Sequence, residues 1–142
     1  MLDQEVHFQL MRAFHYSYKY IMRRTQALGL CPGQPKILEY LLEHDGCIAR
    51  DICEGCVLDK STMTSLLARM ERQGLIVKEE DPCDKRAARI RLTDRGRDMA
   101  DRVKEIFRAA DAWTLRDMPE ADRRRLTRLL QTVISNLEEE AE

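Results

Sequence analysis

Residues 51–92 carry two different apolar periods in one short stretch, and few folds accommodate both. Ile52, Cys56, Leu58, Met63 and Leu66 fall at the spacing by which two short helices, packed across a tight turn, share one small core. Asp59 stands where the second helix needs an N-cap, and Gly74 stands where it stops. Past Gly74 the period changes from helical to alternating. Leu75-Ile76-Val77 leads to a turn at Asp81-Pro82-Cys83-Asp84, and Ala88-Arg89-Ile90-Arg91-Leu92 returns. Two helices and then a β-hairpin predict a winged helix-turn-helix.

The second helix opens with Asp59-Lys60-Ser61-Thr62-Met63-Thr64-Ser65. Helical spacing turns Met63, Leu66, Leu67 and Met70 inward and leaves Lys60, Ser61, Thr62, Thr64, Ser65 and Arg69 outward. A major groove limits bulk and offers donors and acceptors on base edges, so short hydroxyl side chains with flanking cations suit it. Ser61, Thr62, Thr64 and Ser65 are the candidates for base edges or phosphates, Lys60 and Arg69 for phosphates, and Arg89, on the cationic face of the second strand, for a further DNA contact. The formal net charge of -1 does not announce a nucleic-acid partner, but the charge is uneven. Between positions 84 and 97 the six cations Lys85, Arg86, Arg89, Arg91, Arg95 and Arg97 meet only Asp84 and Asp94, whereas the chain ends Glu138-Glu139-Glu140-Ala141-Glu142. Local patches, not the total, set attraction to phosphate, so double-stranded DNA is the expected partner.

Amphipathic helices flank this stretch. Leu2, Val6, Leu10, Phe14, Tyr18, Ile21, Thr25 and Leu28 form one stripe, predicting a single helix longer than about seven turns. Gly29 stops it, and Pro35 starts a helix through Ile37, Leu38, Tyr40, Leu41 and Leu42, while Cys47-Ile48 supplies a minimal strand for the hairpin. Thr93 caps a long helix with Met99, Val103, Ile106, Phe107, Ala110 and Trp113 inward. Pro119 then opens a last helix with Leu126, Leu129, Leu130, Val133, Ile134 and Leu137 on one face. The fold class is mainly α with a small β-hairpin wing (α+β). All of 1–142 reads as one domain, with 33–97 the DNA-binding lobe and 1–30 and 98–142 the dimerisation helices. So much apolar helix face exceeds what a lone chain of 142 residues covers, which predicts a homodimer. With no signal-peptide core and no apolar run long enough for a bilayer, the expected location is cytoplasmic, away from membranes.

These residues resemble the MarR family of bacterial transcription regulators over essentially the whole chain. The resemblance rests on Asp59 to Thr64 opening the recognition helix and Leu67-Ala68-Arg69-Met70-Glu71-Arg72-Gln73-Gly74-Leu75-Ile76 closing it. Asp81-Pro82-Cys83-Asp84-Lys85-Arg86 and Leu92-Thr93-Asp94-Arg95-Gly96 extend it. It implies a homodimer on a pseudo-palindromic operator, usually a repressor released by a small molecule or chemical change. It also implies that Arg86 enters the minor groove, held by Asp84, where a guanidinium tolerates a narrow, negative groove well. The chain departs from the family pattern at Ile48, Val57 and Ser65, where a Ser or Thr cap, a turn glycine and an Arg are common.

No nucleophile elbow, phosphate loop or acid–base carboxylate pair is present, so the chain is not expected to be an enzyme, and no cofactor is called for. Phe14, His15, Tyr18 and Tyr40 are candidates to line an effector pocket. Cys53 and Cys56 form C-x-x-C, but both fall on core positions of a helix, where a thiol packs as a small hydrophobe. Cys31, in a connection, and Cys83, at the wing, are the candidates for exposure and oxidation. His7, His15 and His44 do not complete a metal set with Cys31, Glu39 or Glu43, and no metal site is assigned. The rivals to ligand-released DNA binding are thus a thiol-based redox regulator and a winged-helix adapter that binds no DNA.

Overall fold

The computed structural model describes residues 1–84 and 87–141. Residues Met1–Ala110 form one compact unit and Asp111–Glu142 a second.

In the first unit a short 3-10 turn, Leu2–Gln4, precedes α1, Val6–Gln26. The apolar stripe predicted one unbroken helix, but Glu5 is extended (φ −89°, ψ 133°), and α1 holds 21 residues. Leu2 is 55% exposed, so the first apolar step of the stripe finds nothing in the unit to pack on. At the other end Gly29 takes φ +80°, while the Thr25 carbonyl accepts the N–H groups of Leu28 and Leu30. Helix α2, Gln34–Glu43, follows with Pro35 in its first turn, as its sequence demanded.

Strand β1, Cys47–Ile48, leads into α3, Ala49–Cys56. Helix α4 covers Lys60–Arg72, and the wing strands are β2, Ile76–Glu80, and β3, Ala88–Leu92. The sheet is antiparallel in the order β1-β3-β2, with Cys47 opposite Ile90 and Ile76 opposite Leu92. The predicted alternation holds: Ile90 and Leu92 are buried, and Arg89 and Arg91 share the other face. The core joins Ile37, Leu38 and Leu41 of α2 to Ile52 and Cys56 of α3, to Met63, Leu66, Leu67 and Met70 of α4, and to the hairpin. A buried amide ties its ends together: Gln34 Nε2 donates to Gln73 Oε1 at 2.8 Å, and Gln34 Oε1 accepts the Cys31 N–H at 3.0 Å.

Helix α5 is Asp94–Thr114, capped as predicted by Thr93, whose Oγ1 accepts the Gly96 N–H at 2.9 Å. The hydroxyl in turn donates to the Gly74 carbonyl at 2.6 Å, fixing the start of α5 to the end of α4. Val103 and Ala110 are buried. Trp113, expected inward, lies in the second unit and is 55% exposed, with the Arg116 guanidinium over its ring at 3.9 Å. That unit continues with α6, Glu120–Ala141, in which no residue is buried. Leu129, Leu130, Ile134 and Leu137 are exposed along it.

Candidate functional site

Helix α4 separates its residues as the sequence predicted. Met63, Leu66, Leu67 and Met70 are buried, and Lys60, Ser61, Thr62, Thr64, Ser65 and Arg69 are exposed. Asp59 organises the exposed nose. Its Oδ1 accepts the Thr62 N–H at 2.7 Å and the Ser61 hydroxyl at 2.9 Å, and its Oδ2 accepts the Thr62 hydroxyl at 3.0 Å. These bonds, the Thr62 N–H first, hold the Asp59 carboxyl below the usual range. The Thr64 hydroxyl donates to the Lys60 carbonyl at 2.8 Å. Ser61, Thr62 and Thr64 therefore turn their protons toward the helix and their lone pairs outward, which suits them to accept from donors on a ligand.

The chain enters this helix through an unusual turn. Val57 adopts φ 53°, ψ 58°, and is the one non-glycine residue with positive φ among the described residues. The family resemblance marks this position as one where a turn glycine is common, and glycine takes this conformation without the cost a Cβ brings. Ile48 caps α3 without a side-chain acceptor, and the Asp51 carboxylate accepts the Ile48 N–H at 3.4 Å instead.

On the hairpin the two arginines are engaged within the chain. Arg91 Nε donates to Glu79 Oε2 at 2.7 Å. Arg89 Nε and Nη2 donate to Asp81 Oδ2 at 3.2 and 3.0 Å, and its Nη1 donates to the Gly46 carbonyl at 3.2 Å. The face expected to be freely cationic is thus neutralised at both positions. Local period gives no sign of these partners, which lie 8, 12 and 43 residues away. The Asp81 carboxyl, also accepting the Cys83 N–H at 2.9 Å, sits below the usual range, the Cys83 N–H contributing most and Arg89 next. Asp84 is exposed, its N–H donating to the Asp81 carbonyl at 3.3 Å. Arg86, the expected minor-groove residue, and Lys85 lie outside the described residues.

The four residues proposed for an effector pocket do not meet in one place. Phe14 and Tyr18 of α1, ring centroids 5.6 Å apart, line a cavity of about 350 Å³ with Ile21 and Met22. Lys36 of α2, Phe107 of α5, Leu58 just before α4 and Thr62 in its first turn also line it. His15 is not among these residues; its ring meets Tyr16 edge-on at 5.1 Å. Tyr40 is also elsewhere, stacked on His44 at 4.1 Å in a separate cleft with Glu43, Gly55 and Lys104. The correction follows from helix geometry: Tyr40 turns to the side of α2 that faces α3, where Gly55 leaves room for its ring.

Among the cysteines, Cys56 is buried and its thiol is pushed up to about 11, chiefly by burial. Burial also raises Cys47. Cys53 is half-buried, and so is Cys31, which packs against the core instead of standing exposed as expected; Cys83 is exposed. No group of three His, Cys, Asp or Glu side chains is placed to hold a metal among the described residues, and no described helix is long and apolar enough to cross a membrane.

A helix-turn-helix with a three-stranded wing, a capped hydroxyl-bearing helix and long flanking helices defines a winged-helix protein of the kind that reads DNA. The sequence model of the MarR family matches residues 28–87. The transcriptional regulator HosA of Escherichia coli O111:H- is 30% identical over 90 residues, covering 60% of this chain and 67% of HosA. The HTH-type transcriptional regulator BilQ of Clostridioides difficile is 28% identical over 96 residues, covering 68% of this chain and 65% of BilQ. The chain belongs to the MarR family. It spans under two thirds of the length of the first curated relatives it matches, 65% and 62%. A MarR-family regulator from Silicibacter pomeroyi shares the fold with a TM-score of 0.86 at 24% identity, over 96% of this chain and 92% of that one. The repressor CouR bound to a 23-mer DNA duplex gives 0.84 at 22% identity, over 94% of each chain. CouR of Rhodococcus jostii RHA1 bound to p-coumaroyl-CoA gives 0.82, with the same identity and coverage.

Proposed function

We propose that this chain is a homodimeric, sequence-specific DNA-binding transcription regulator, a repressor whose release follows binding of a small amphipathic molecule. The observation that carries the DNA-binding reading is the division of α4. Lys60, Ser61, Thr62, Thr64, Ser65 and Arg69 all stand exposed on one face while the other is sealed into the core. Two such helices related by a two-fold axis enter successive major grooves about 10 bp apart on a pseudo-palindromic operator. Arg86 at the wing, steadied by Asp84, would reach the flanking minor groove.

The dimer reading draws on two apolar surfaces, each exposed in its own unit. Met11, Phe14 and Tyr18 stand out on α1, and Leu129, Leu130, Ile134 and Leu137 on α6. Residues 1–30 and 98–142 serve as the dimerisation helices and 33–97 as the DNA lobe. The cavity at Phe14 and Tyr18 supports the effector reading, because Thr62 of α4 forms part of its wall. A ligand there touches the turn that Asp59 caps. Apart from Thr62 its lining is mainly aromatic and aliphatic with one cation, Lys36, which fits an aromatic acid. That CouR has been solved with an aromatic acyl thioester and with DNA agrees with both halves of the reading.

The test is a gel shift on the DNA upstream of the chain's own coding region, followed by footprinting. A protected, roughly two-fold symmetric stretch is expected. No shift at micromolar protein on any fragment of that region would leave the adapter reading in its place.

A further inference from the structure

We propose that Arg89 is a positioning residue for the wing and not a DNA contact, a reading that rests on the proposed DNA-binding function. The Arg89 side chain is 45% exposed, yet all three guanidinium nitrogens bond within the chain: Nε and Nη2 to Asp81, and Nη1 to the Gly46 carbonyl. Asp81 sits one residue beyond β2, at the root of the wing turn, with its side chain 14% exposed. Gly46 belongs to the turn between α2 and β1. One planar fork therefore joins the root of the wing turn to the turn that follows α2.

Other bonds converge on the same turn. The Gly46 N–H donates to the Ile90 carbonyl at 2.8 Å, and the Asp45 carboxylate accepts the Leu92 N–H at 2.8 Å. Arg97 at the start of α5 reaches Asp45 at 3.4 Å. Gly46 has φ +84°, and a Cβ there would lie 2.7 Å from the Arg91 guanidinium, so the turn is pressed close under the hairpin. β3 is thus tied to this turn at Ile90 and Leu92, β2 is paired to β3 as far as Glu80, and Arg89 links Asp81, just beyond that ladder, to the same turn. A lysine would keep the charge but present one point donor where the arginine spans three bonds. The Asp81 carboxylate has a second duty, accepting the Cys83 N–H, so the fork and the wing turn share one anchor.

The proposal predicts how Arg89 variants fail. Operator affinity is measured by fluorescence anisotropy across a salt series for the wild type, R89A, R89K, D81A and the double variant R89A/D81A. Loss of a positioning residue weakens binding about tenfold at fixed salt without changing the slope of log Kd against log salt. R89K matches R89A, D81A is at least as weak because it also frees the Cys83 N–H, and the double variant is no worse than D81A. A slope reduced by about one in R89A, the sign of a lost phosphate contact, overturns the proposal, as does affinity restored by R89K. Amide exchange is followed on the same proteins without DNA. In R89A the Cys83 and Gly46 amides exchange faster while Met70 and Ile90 keep wild-type protection; unchanged exchange at Cys83 and Gly46 overturns the clamp. A wild-type chain that binds no duplex overturns the functional reading and the positioning role with it, and the exchange data then still decide whether the clamp exists.

Discussion

Replacing Gly96 by alanine tests how the end of α4 is joined to the start of the long helix α5. In a helix interior free of neighbours this change stabilises a protein by roughly 0.5–1 kcal/mol, because glycine loses the most backbone freedom on folding. At Gly96 the expected sign is the reverse. The residue is buried, and a Cβ built there falls on the Leu75 carbonyl oxygen, with the Leu75 carbonyl carbon 2.8 Å and its Cα 3.2 Å away. These are backbone atoms, so no rotamer change relieves the clash. The start of α5 must retreat, and the retreat strains the Thr93 N–H bond to the Leu75 carbonyl (3.1 Å) and the Thr93 hydroxyl bond to the Gly74 carbonyl (2.6 Å). Overpacking of about 1–3 kcal/mol and about 1 kcal/mol for each of the two weakened bonds, less the roughly 0.5–1 kcal/mol helix gain, place the loss at about 2–4 kcal/mol. In a chain of this size that lowers Tm by about 10 °C. Gly74→Ala is the control: φ is +74°, nothing lies within 4 Å of the built Cβ, and only the left-handed conformation opposes the change, at about 1 kcal/mol. Urea unfolding followed by circular dichroism, at one protein concentration for all variants, measures both. Gly96→Ala as stable as the wild type, or more so, would refute the close approach of the two backbones.

Further outcomes follow from the same structure. Val57→Gly removes a left-handed β-branched residue that is 86% exposed and has little packing to lose, so it raises stability by about 0.5–1 kcal/mol in the same unfolding assay, the gain being trimmed by the freer unfolded chain. The Cys56 thiol ionises near 11 in the folded chain against an ordinary 9.0. Its contribution to stability is therefore complete below pH 9 and declines as pH rises from 9 to 11, a decline that thermal melts should show and Cys56→Ala should flatten. Timed thiol modification at pH 8 should label Cys83 first and Cys56 last. Asp59 and Asp81 have lowered folded values, so their contribution is present above about pH 4 and lost as pH falls through those values. Melts below pH 4 should show a smaller further loss in Asp59→Asn than in the wild type.

The parts of this fold legible in the sequence are those governed by neighbours within a turn or two. Asp59 and Thr93 as caps, Gly29 and Gly74 as stops, and the inward set of α4 all follow from local hydrogen bonding and helical period. So does the alternation of β3, and even the two-residue strand at Cys47-Ile48 was readable. What escaped depends on distant partners. Arg89 looked like a solvated cation facing DNA because its carbonyl partner is 43 residues away. Tyr40 shares an aromatic pattern with Phe14 and Tyr18, but which face of α2 it occupies depends on the space Gly55 leaves in α3. The break at Glu5 escaped for a related reason: apolar spacing continues through Leu2 whether or not a surface awaits it.

The central claim is that the exposed face of α4 meets DNA, and the most direct measurement is the salt dependence of duplex binding by the wild type and Lys60→Ala. The duplex is the fragment protected in footprinting, or the full upstream region. Wild-type affinity should fall steeply, by orders of magnitude, between about 50 and 200 mM salt. Lys60→Ala should bind more weakly and with a slope smaller by about one for each phosphate contact removed, its melting curve unchanged. Wild-type binding that ignores salt, or a Lys60→Ala slope identical to the wild type's at equal affinity, would contradict the account.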